Sequence, residues 1–159
     1  MNRFTKLGLE LRELTADWET RLRNLPPKTV SGPRNRQNRT IKEIVGHMVD
    51  SATNNTHRII HLQYRQSPVD YPDYANLGNN DRWIAIQKYQ EEDWTELVDL
   101  WAASQRHFVH VINQVDETRL DAYWLSALGD RVTLEEMILD YPRHFDLHLQ
   151  EITELMELP

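Results

Sequence analysis

The sequence contains no cysteine and little glycine. Among its 159 residues there are five glycines and no cysteine at all. The absence of cysteine excludes disulfides, thiolate metal ligands and a protein thiol nucleophile, so any thiol chemistry would have to come from a bound molecule. No apolar run approaches the roughly 18 residues of a membrane span, and the N-terminal segment lacks the features of a signal peptide. We therefore expect a single cytoplasmic domain that covers residues 1–159.

Positive charge is also scarce. The formal net charge is −7, and acidic residues occur along every segment. Because nucleic-acid binding needs a broad positive surface, a nucleic acid is not an expected partner. The one basic cluster contains Arg34, Arg36 and Arg39 and lies in a predicted loop. We interpret it as a solvated connection, with an anion-steering edge of a site as the alternative.

Helical periodicity dominates what is present. Apolar residues recur every three or four positions in four segments, which cover residues 4–25, 40–66, 93–115 and 133–155. Thr40 with Glu43, and Thr133 with Glu136, form the spacing of a capping box at two helix starts. Four amphipathic helices of this length predict an all-α fold, a four-helix bundle.

The connection between the second and third helices is unusually long. It spans residues 67–92 and contains Tyr71, Tyr74, Trp83 and Tyr89. Such a segment is either a crossover packed on the bundle or a lid over a site. We expect Trp83 and Tyr89 to pack in the core, with a role in a pocket wall as the alternative. The length of the segment leaves open whether the two helices run parallel or antiparallel.

Three histidines are candidates for a site. His144 and His148 are four residues apart and lie on the apolar stripe of the fourth helix or at its edge. His47 lies on a polar flank of the second helix. Three imidazoles from two helices, with a coordination position left open, would suit a catalytic divalent metal. The alternative is that these histidines are hydrogen-bonded residues at the edge of the core.

Other histidines and other motifs add little. Four histidines point away from the predicted apolar stripes and are expected at the surface: His57, His61, His107 and His110. The sequence has no HExxH, ExxH, GxSxG, P-loop or GxGxxG motif. The usual signatures of di-iron oxidation, serine hydrolysis and nucleotide binding are therefore missing.

Two segments carry a family resemblance. They are TIKEIVGHMVDSATNNTHRI at 40–59 and VTLEEMILDYPRHFDLHLQEI at 132–152. Together they resemble the DinB/YfiT-like family of metal-dependent enzymes, including its HxxDS in the second helix and HxxxH in the fourth. The order and lengths of the four helices also fit that family. The resemblance implies that His47, His144 and His148 bind a divalent ion, with nickel or zinc usual, and that water fills the remaining positions.

The resemblance also suggests a reaction. Members of this superfamily include S-transferases that use bacterial low-molecular-weight thiols, and a thiol-dependent isomerase. The resemblance therefore implies that this protein is a metal-dependent S-transferase, whose partners are a small-molecule thiol and an electrophile. Asp50, Ser51 and Asn54, near His47 along the second helix, are candidates to orient a ligand or a bound water, although Asp50 can equally be an ordinary exposed acid.

Two other functions stay open. The metal could activate water, which would make the protein a hydrolase. The bundle could instead be a non-catalytic module that binds a metal or another ligand. Five tryptophans also leave room for a homodimer interface, at no identified surface.

The sequence departs from the family pattern at two positions. Arg39 stands where the family often has a tryptophan, just before the capping residue of the second helix. Pro142 lies inside the fourth helix, where it removes the hydrogen bond to the Ile138 carbonyl. We expect it to bend or loosen the helix one turn before the histidine pair, where it could open a cleft, with a tolerated kink of no function as the alternative.

Overall fold

Four long helices form a bundle. The computed structural model describes residues 2–158. The long helices are α1 (Thr5–Arg23), α3 (Ile41–Tyr64), α5 (Trp94–Ile112) and α6 (Leu134–Met156). The shorter elements are α2 (Pro27–Ser31), α4 (Asn79–Gln87) and the strands β1 (Tyr123–Leu125) and β2 (Arg131–Thr133). The predicted four-helix bundle is confirmed, with helix starts close to the predicted positions.

Side-chain caps define where the helices begin. At the start of α3, the Thr40 hydroxyl accepts a hydrogen bond from the Glu43 backbone N–H, and the Glu43 carboxylate accepts one from the Thr40 N–H at 2.9 Å. Thr133 and Glu136 form the same reciprocal pair at the start of α6. Each cap satisfies N–H groups that have no partner within the helix, which stabilises the helix by about 1 kcal/mol.

Helix α5 runs antiparallel to α1 and to α6. Near its start, Asp99 forms an ion pair with Arg23 at the end of α1. The two aromatic pairs with α6 show the same antiparallel direction. Trp101, earlier in α5, stacks on Phe145, and Phe108, later in α5, stacks on Tyr141, which precedes Phe145 in α6. These aromatic rings are buried and join the two helices through the middle of the core.

Helices α3 and α5 run parallel, which settles the question that the sequence left open. At one end, the Lys42 ammonium donates to the Gln90 carbonyl at 3.2 Å, just before α5. At the other end, the Gln63 side chain accepts from the Asp116 N–H at 2.9 Å, just after α5. Because α3 is about 36 Å long, the connection between the two helices must travel back along the whole bundle. This requirement explains its length.

The returning segment packs along α3. It begins beside β1, where the Val69 N–H donates to the Tyr123 carbonyl at 2.9 Å. Tyr74 and Tyr89 are both buried against α3, and the Tyr89 ring lies directly on Gly46. The crossover interpretation is therefore correct, and Tyr89 packs in the core as expected. Trp83 stays 39 % exposed and contacts the edge of Tyr74 instead.

A small hairpin between α5 and α6 was not predicted. Strands β1 and β2 pair antiparallel, with Trp124 opposite Val132. The hairpin turn contains Gly129 in the left-handed region at φ 88°, a conformation that glycine adopts without strain. Each strand has only three residues, too few to show the alternation by which a strand is recognised in a sequence.

Pro142 does not interrupt α6. The α-helix continues through it from Leu134 to Met156. The missing N–H falls in a helix whose neighbouring turns are held by the buried side chains of Ile138, Tyr141 and Phe145. Packing on both sides of the proline therefore keeps the helix continuous at this point.

No helix within residues 2–158 has the length and apolar character needed to cross a membrane.

Three of the five tryptophans, Trp18, Trp101 and Trp124, are buried in the bundle itself. These tryptophans therefore give no support to a dimer interface, and a homodimer stays a prediction.

The contact between Gly46 and Tyr89 predicts an unusual glycine effect. Gly to Ala inside a helix ordinarily adds up to about 1 kcal/mol of stability. Here a Cβ would overlap the Tyr89 ring, so we expect Gly46→Ala to lower the free energy of unfolding by about 1–3 kcal/mol in urea denaturation. In a Tyr89→Ala background the same change should be neutral or stabilising. Equal losses in both backgrounds would contradict the packing of the crossover on Gly46.

Candidate metal centre

Three imidazoles meet between α3 and α6. The Nε2 atom of His148 lies 3.1 Å from Nε2 of His47 and 3.0 Å from Nε2 of His144. Within residues 2–158, this is the one group of three or more histidine, cysteine or acidic side chains whose ligand atoms all lie within 4.8 Å of one another. The structure therefore brings together the three histidines that the sequence singled out. The remaining histidines are exposed or half-buried elsewhere, as predicted.

Two of the imidazoles are oriented through their second nitrogen. Nδ1 of His148 lies 2.7 Å from the Glu151 carboxylate. Nδ1 of His47 lies 2.5 Å from the Tyr74 hydroxyl, which is also 3.4 Å from the His47 carbonyl. If the hydroxyl accepts from Nδ1–H and donates to that carbonyl, Nε2 of His47 keeps a free lone pair. A hydrogen bond at the opposite nitrogen is the usual arrangement around a histidine that binds a metal.

His47 lies on the polar flank of α3, as the helical pattern indicated, but that flank is buried. Its side chain is buried at 4 % exposure. The residues of α3 on that side are covered because the crossover returns over them, with Tyr74 stacked beside the His47 ring at 5.8 Å between centroids. Helix α3 is packed on two sides, and its second buried face carries polar residues. That face therefore does not appear as a hydrophobic stripe in the sequence.

Burial keeps the imidazoles of His47 and His144 neutral. Loss of hydration, followed by the positive potential of His148 and Arg39, lowers the pKa of His47 to about 2. Burial and the neighbouring His148 lower the pKa of His144 to about 3. Neutral imidazoles expose lone pairs at physiological pH, which is the form that binds a metal.

The donor set fits a divalent cation. With a proton on Nδ1 of His148, which faces the Glu151 carboxylate, the Nε2 lone pair of this ring would point at the other two Nε2 atoms. Lone pairs that meet at about 3 Å need a proton or a cation between them. Three imidazole donors suit zinc, nickel, copper or iron, and a tripod of this kind leaves further coordination positions open.

Asp50 is buried, contrary to its interpretation as an ordinary exposed acid. It is 3 % exposed, and its Oδ1 accepts from the Tyr89 hydroxyl at 2.6 Å and from the Gln87 amide at 2.9 Å. Burial is the larger influence and raises the pKa of Asp50 to about 6, while these two hydrogen bonds act in the opposite direction. Asp50 therefore joins the crossover to α3, one turn from His47.

A cleft of about 910 Å³ opens beside the three histidines. It lies between α3, α6, the hairpin and the start of the crossover. Ser51 and Asn54 line it, as candidates that could contact a ligand, whereas Asp50 does not. The Asn54 amide donates to the Asp50 carbonyl at 2.9 Å, which leaves its side-chain oxygen for the cleft.

Arg39 is also buried and was wrongly interpreted as part of a solvated loop. Its side chain is 4 % exposed and pairs with Asp81 at 2.6 Å. This ion pair joins the start of α3 to α4 and lies at the wall of the cleft. Arg34 and Arg36 are exposed, as expected.

Sequence reasoning missed Tyr74 and Glu151 as partners of the histidines. Glu151 follows His148 by three residues and so shares its helix face, a signal that could have been read. Tyr74 comes from the crossover, 27 residues from His47, and no local pattern indicates that contact.

The arrangement defines a class of protein: a four-helix bundle with two parallel neighbouring helices and a three-histidine cluster at the edge of its core. The sequence between residues 10 and 152 matches the family model of the DinB superfamily. The chain therefore belongs to the DinB superfamily, as its sequence motifs indicated. No curated protein matches the sequence significantly.

Two solved structures have a similar fold. YfiT from Bacillus subtilis, described as "a probable metal-dependent hydrolase with an unusual four-helix bundle topology", superposes with a TM-score of 0.81 over 98% of this chain and 87% of YfiT, at 16% identity. The mycothiol-dependent maleylpyruvate isomerase superposes with a TM-score of 0.71 over 95% of this chain and 60% of the isomerase, at 15% identity. Identities this low establish the shared fold alone.

The lowered pKa of His47 predicts a pH-dependent stability. An unfolded histidine binds a proton below about pH 6.5, whereas buried His47 stays neutral down to about pH 2. Acid therefore favours the unfolded chain, and stability falls as the pH drops below 6.5. Between about pH 7.5 and about pH 5, the metal-free protein should lose up to about 2 kcal/mol more than its His47→Gln variant does, measured by urea denaturation in a chelator.

The surface substitution His57→Gln is the control for this measurement, and its profile should match that of the unmodified protein. Identical pH profiles for the unmodified protein and His47→Gln would show that His47 is not held neutral in the fold.

Proposed function

We propose that the protein is a metal-dependent enzyme, a thiol S-transferase in which His47, His144 and His148 hold a divalent nickel or zinc ion. The observation that carries this proposal is the convergence of three Nε2 atoms, within 4.8 Å of one another, at the wall of an open cleft. A metal site used only for structure would be closed by a fourth protein ligand, and none gathers here among residues 2–158.

The chain's own residues prepare the site for this chemistry. Glu151 and Tyr74 hold the imidazoles of His148 and His47 in position, and burial keeps His47 and His144 unprotonated. A divalent cation bound there would supply Lewis acidity, lowering the pKa of a coordinated thiol. The cleft leaves room for a second molecule beside it.

The reaction would join two small molecules. The thiol proton is released to water, a carbon–sulfur bond forms at the electrophile, and the leaving group departs with its electron pair. The chain has no cysteine, so the sulfur must come from the small molecule. The isomerase that shares the fold is described as mycothiol-dependent, which supports a thiol as the reacting partner.

Hydrolysis is the second candidate. Asp140 lies at the same cleft, one turn before His144, and the hydrogen bond from Arg143 holds the pKa of this carboxyl below its usual range. It is therefore an ionised group that could orient a water molecule. YfiT, whose fold is similar, is described as a probable metal-dependent hydrolase.

Metal content is the first test of the proposal. Purified without a histidine tag and measured by mass spectrometry, the protein should contain about one nickel or zinc ion per chain. His47→Ala and His148→Ala should each remove it, because two donors no longer outcompete buffer and water. The double variant His57→Ala/His61→Ala removes a pair with the same spacing from the outer face of α3 and should keep the metal.

The orienting hydroxyl gives a finer comparison. Tyr74→Phe should weaken metal binding by about 10–100-fold, since its hydroxyl no longer fixes the His47 ring. Tyr64→Phe removes a hydroxyl that lies 2.7 Å from Nδ1 of His61 on the surface and should change nothing. Failure of the unmodified protein to bind nickel or zinc at all would refute the metal site.

A panel of thiols separates transfer from hydrolysis. The metal-loaded protein would be offered 1-chloro-2,4-dinitrobenzene with several low-molecular-weight thiols, and separately in buffer alone. We expect thioether formation with at least one thiol, lost in His148→Ala. Release of chloride without any thiol, together with dinitrophenol, would instead favour the hydrolase.

A further inference from the structure

A buried arginine stands apart from the histidine cluster, on another wall of the same cleft. Arg58 is 6 % exposed and lines the cleft. Its guanidinium lies 3.8 Å from the centre of the Trp124 ring and 5.0 Å from that of Tyr71. These contacts hold the planar group against an aromatic face and leave its N–H edge for another partner.

Arg58 has no anionic partner in the protein. No hydrogen bond or ion pair joins its side chain to any residue between 2 and 158, and its Nε–H is buried without an acceptor. The indole N–H of Trp124, stacked on it, is likewise buried and unpaired. An unpaired buried charge is costly to the fold, and cation–π contacts compensate for only part of that cost.

The acidic residues around the cleft are already engaged. Glu136 caps α6 by accepting from Thr133, Asp140 pairs with Arg143, and Glu151 holds His148. Asp73, whose charge acts on Arg58 from a distance, accepts hydrogen bonds from the backbone N–H groups of Ala75, Asn76 and Ala127. No protein carboxylate is therefore available to pair with Arg58.

Arg58 shares a helix face with His47. Eleven residues separate them on α3, which places them at nearly the same angle and about 16 Å apart along the axis. Ser51, Asn54 and Asn55 lie between them and also line the cleft. Because the Cα–Cβ bonds of a helix tilt towards its N-terminus, the Arg58 side chain leaves the helix in the direction of the histidines.

We propose that Arg58, stacked on Trp124, binds a carboxylate group of the substrate in this cleft. The planar fork of a guanidinium matches the two oxygens of a carboxylate, and a ligand carboxylate would supply the acceptor that the protein does not. The ligand would extend along the polar face of α3 from Arg58 towards the histidine cluster. The inference deepens the proposed function, on which its description of the substrate rests, by making one of the two small molecules a carboxylic acid.

The competing explanation is structural. Arg58 could serve only to attach the hairpin to α3 through its contact with Trp124. That role requires the stack but no anion, so direct observation of the guanidinium N–H during titration with a carboxylate distinguishes the two.

The experiment is a titration followed by ¹H–¹⁵N spectra of the metal-free protein. Hexanoate is the probe, hexanamide its neutral counterpart, and hexyl phosphate a different anion. The Arg58 Nε–H resonance, assigned through the bonds of its own side chain and absent from Arg58→Lys, should shift saturably with hexanoate and stay unchanged with hexanamide. Hexyl phosphate should bind more weakly than hexanoate.

Variants test the same point through the Trp124 indole resonance. Arg58→Lys keeps the positive charge but removes the planar guanidinium that can donate two parallel hydrogen bonds to a carboxylate. We expect it to weaken hexanoate binding by about tenfold or more. Arg21→Lys changes another arginine that stacks on a tryptophan, Trp18, at an exposed site on α1, and should bind hexanoate normally. Should Arg58→Lys fail to fold, the titration of the unmodified protein decides alone.

Three results would overturn the proposal: no saturable shift with hexanoate, an equal shift with hexanamide, or tighter binding of hexyl phosphate. His148→Ala separates this inference from the metal. That variant should still bind hexanoate. If the unmodified protein binds hexanoate at Arg58 but binds no metal, the carboxylate site stands and the proposed function is refuted. If the protein binds metal but shows no hexanoate response, the metal site stands and the carboxylate site is refuted.

Discussion

The parallel arrangement of α3 and α5 is the constraint on which the rest of the structure depends. Two adjacent parallel helices cannot be joined by a short turn, so the chain must return along about 36 Å of α3 before α5 begins. The returning segment covers a second side of α3 and buries groups that would otherwise face water, including His47 and Asp50. Gly46 allows the Tyr89 ring to approach the helix backbone, and Arg39 joins the start of α3 to α4 through Asp81. The histidine cluster therefore exists because the crossover closes over it.

Burial of polar groups along α3 has an energetic consequence. Removing an imidazole, a carboxylate or a guanidinium from water is unfavourable unless hydrogen bonds or charges compensate. Asp50 is compensated at Oδ1 by Tyr89 and Gln87, while its Oδ2 is buried without a partner and its pKa is raised; Arg39 is compensated by its ion pair. The histidine cluster and Arg58 remain incompletely compensated by protein groups. They lie at the same cleft, the first offering lone pairs and the second a positive charge, which is the expected pattern where binding partners complete the hydrogen bonding.

The sequence predicts local features well and the long-range ones poorly. The capping pairs Thr40 with Glu43 and Thr133 with Glu136 mark helix starts because both partners lie within one turn. The pair His144 and His148 shares a face for the same reason. The burial of His47 was not predicted because it depends on residues of the crossover, for which helical periodicity carries no information. The hairpin escaped notice because its strands are too short.

The polar face of α3 shows how such errors can be informative. His47, Ser51, Asn54, Asn55 and Arg58 follow one another at helical spacing, and in an isolated amphipathic helix such a row would face solvent. In the bundle it lines a cleft, and four of its five members are buried. A rigid helix fixes the separation between its two ends, so a ligand that engages both must have a matching length. Under the two proposals, the helix would select substrates by the distance between a carboxylate and the reacting group, and shorter acids would bind at Arg58 without reaching the histidines.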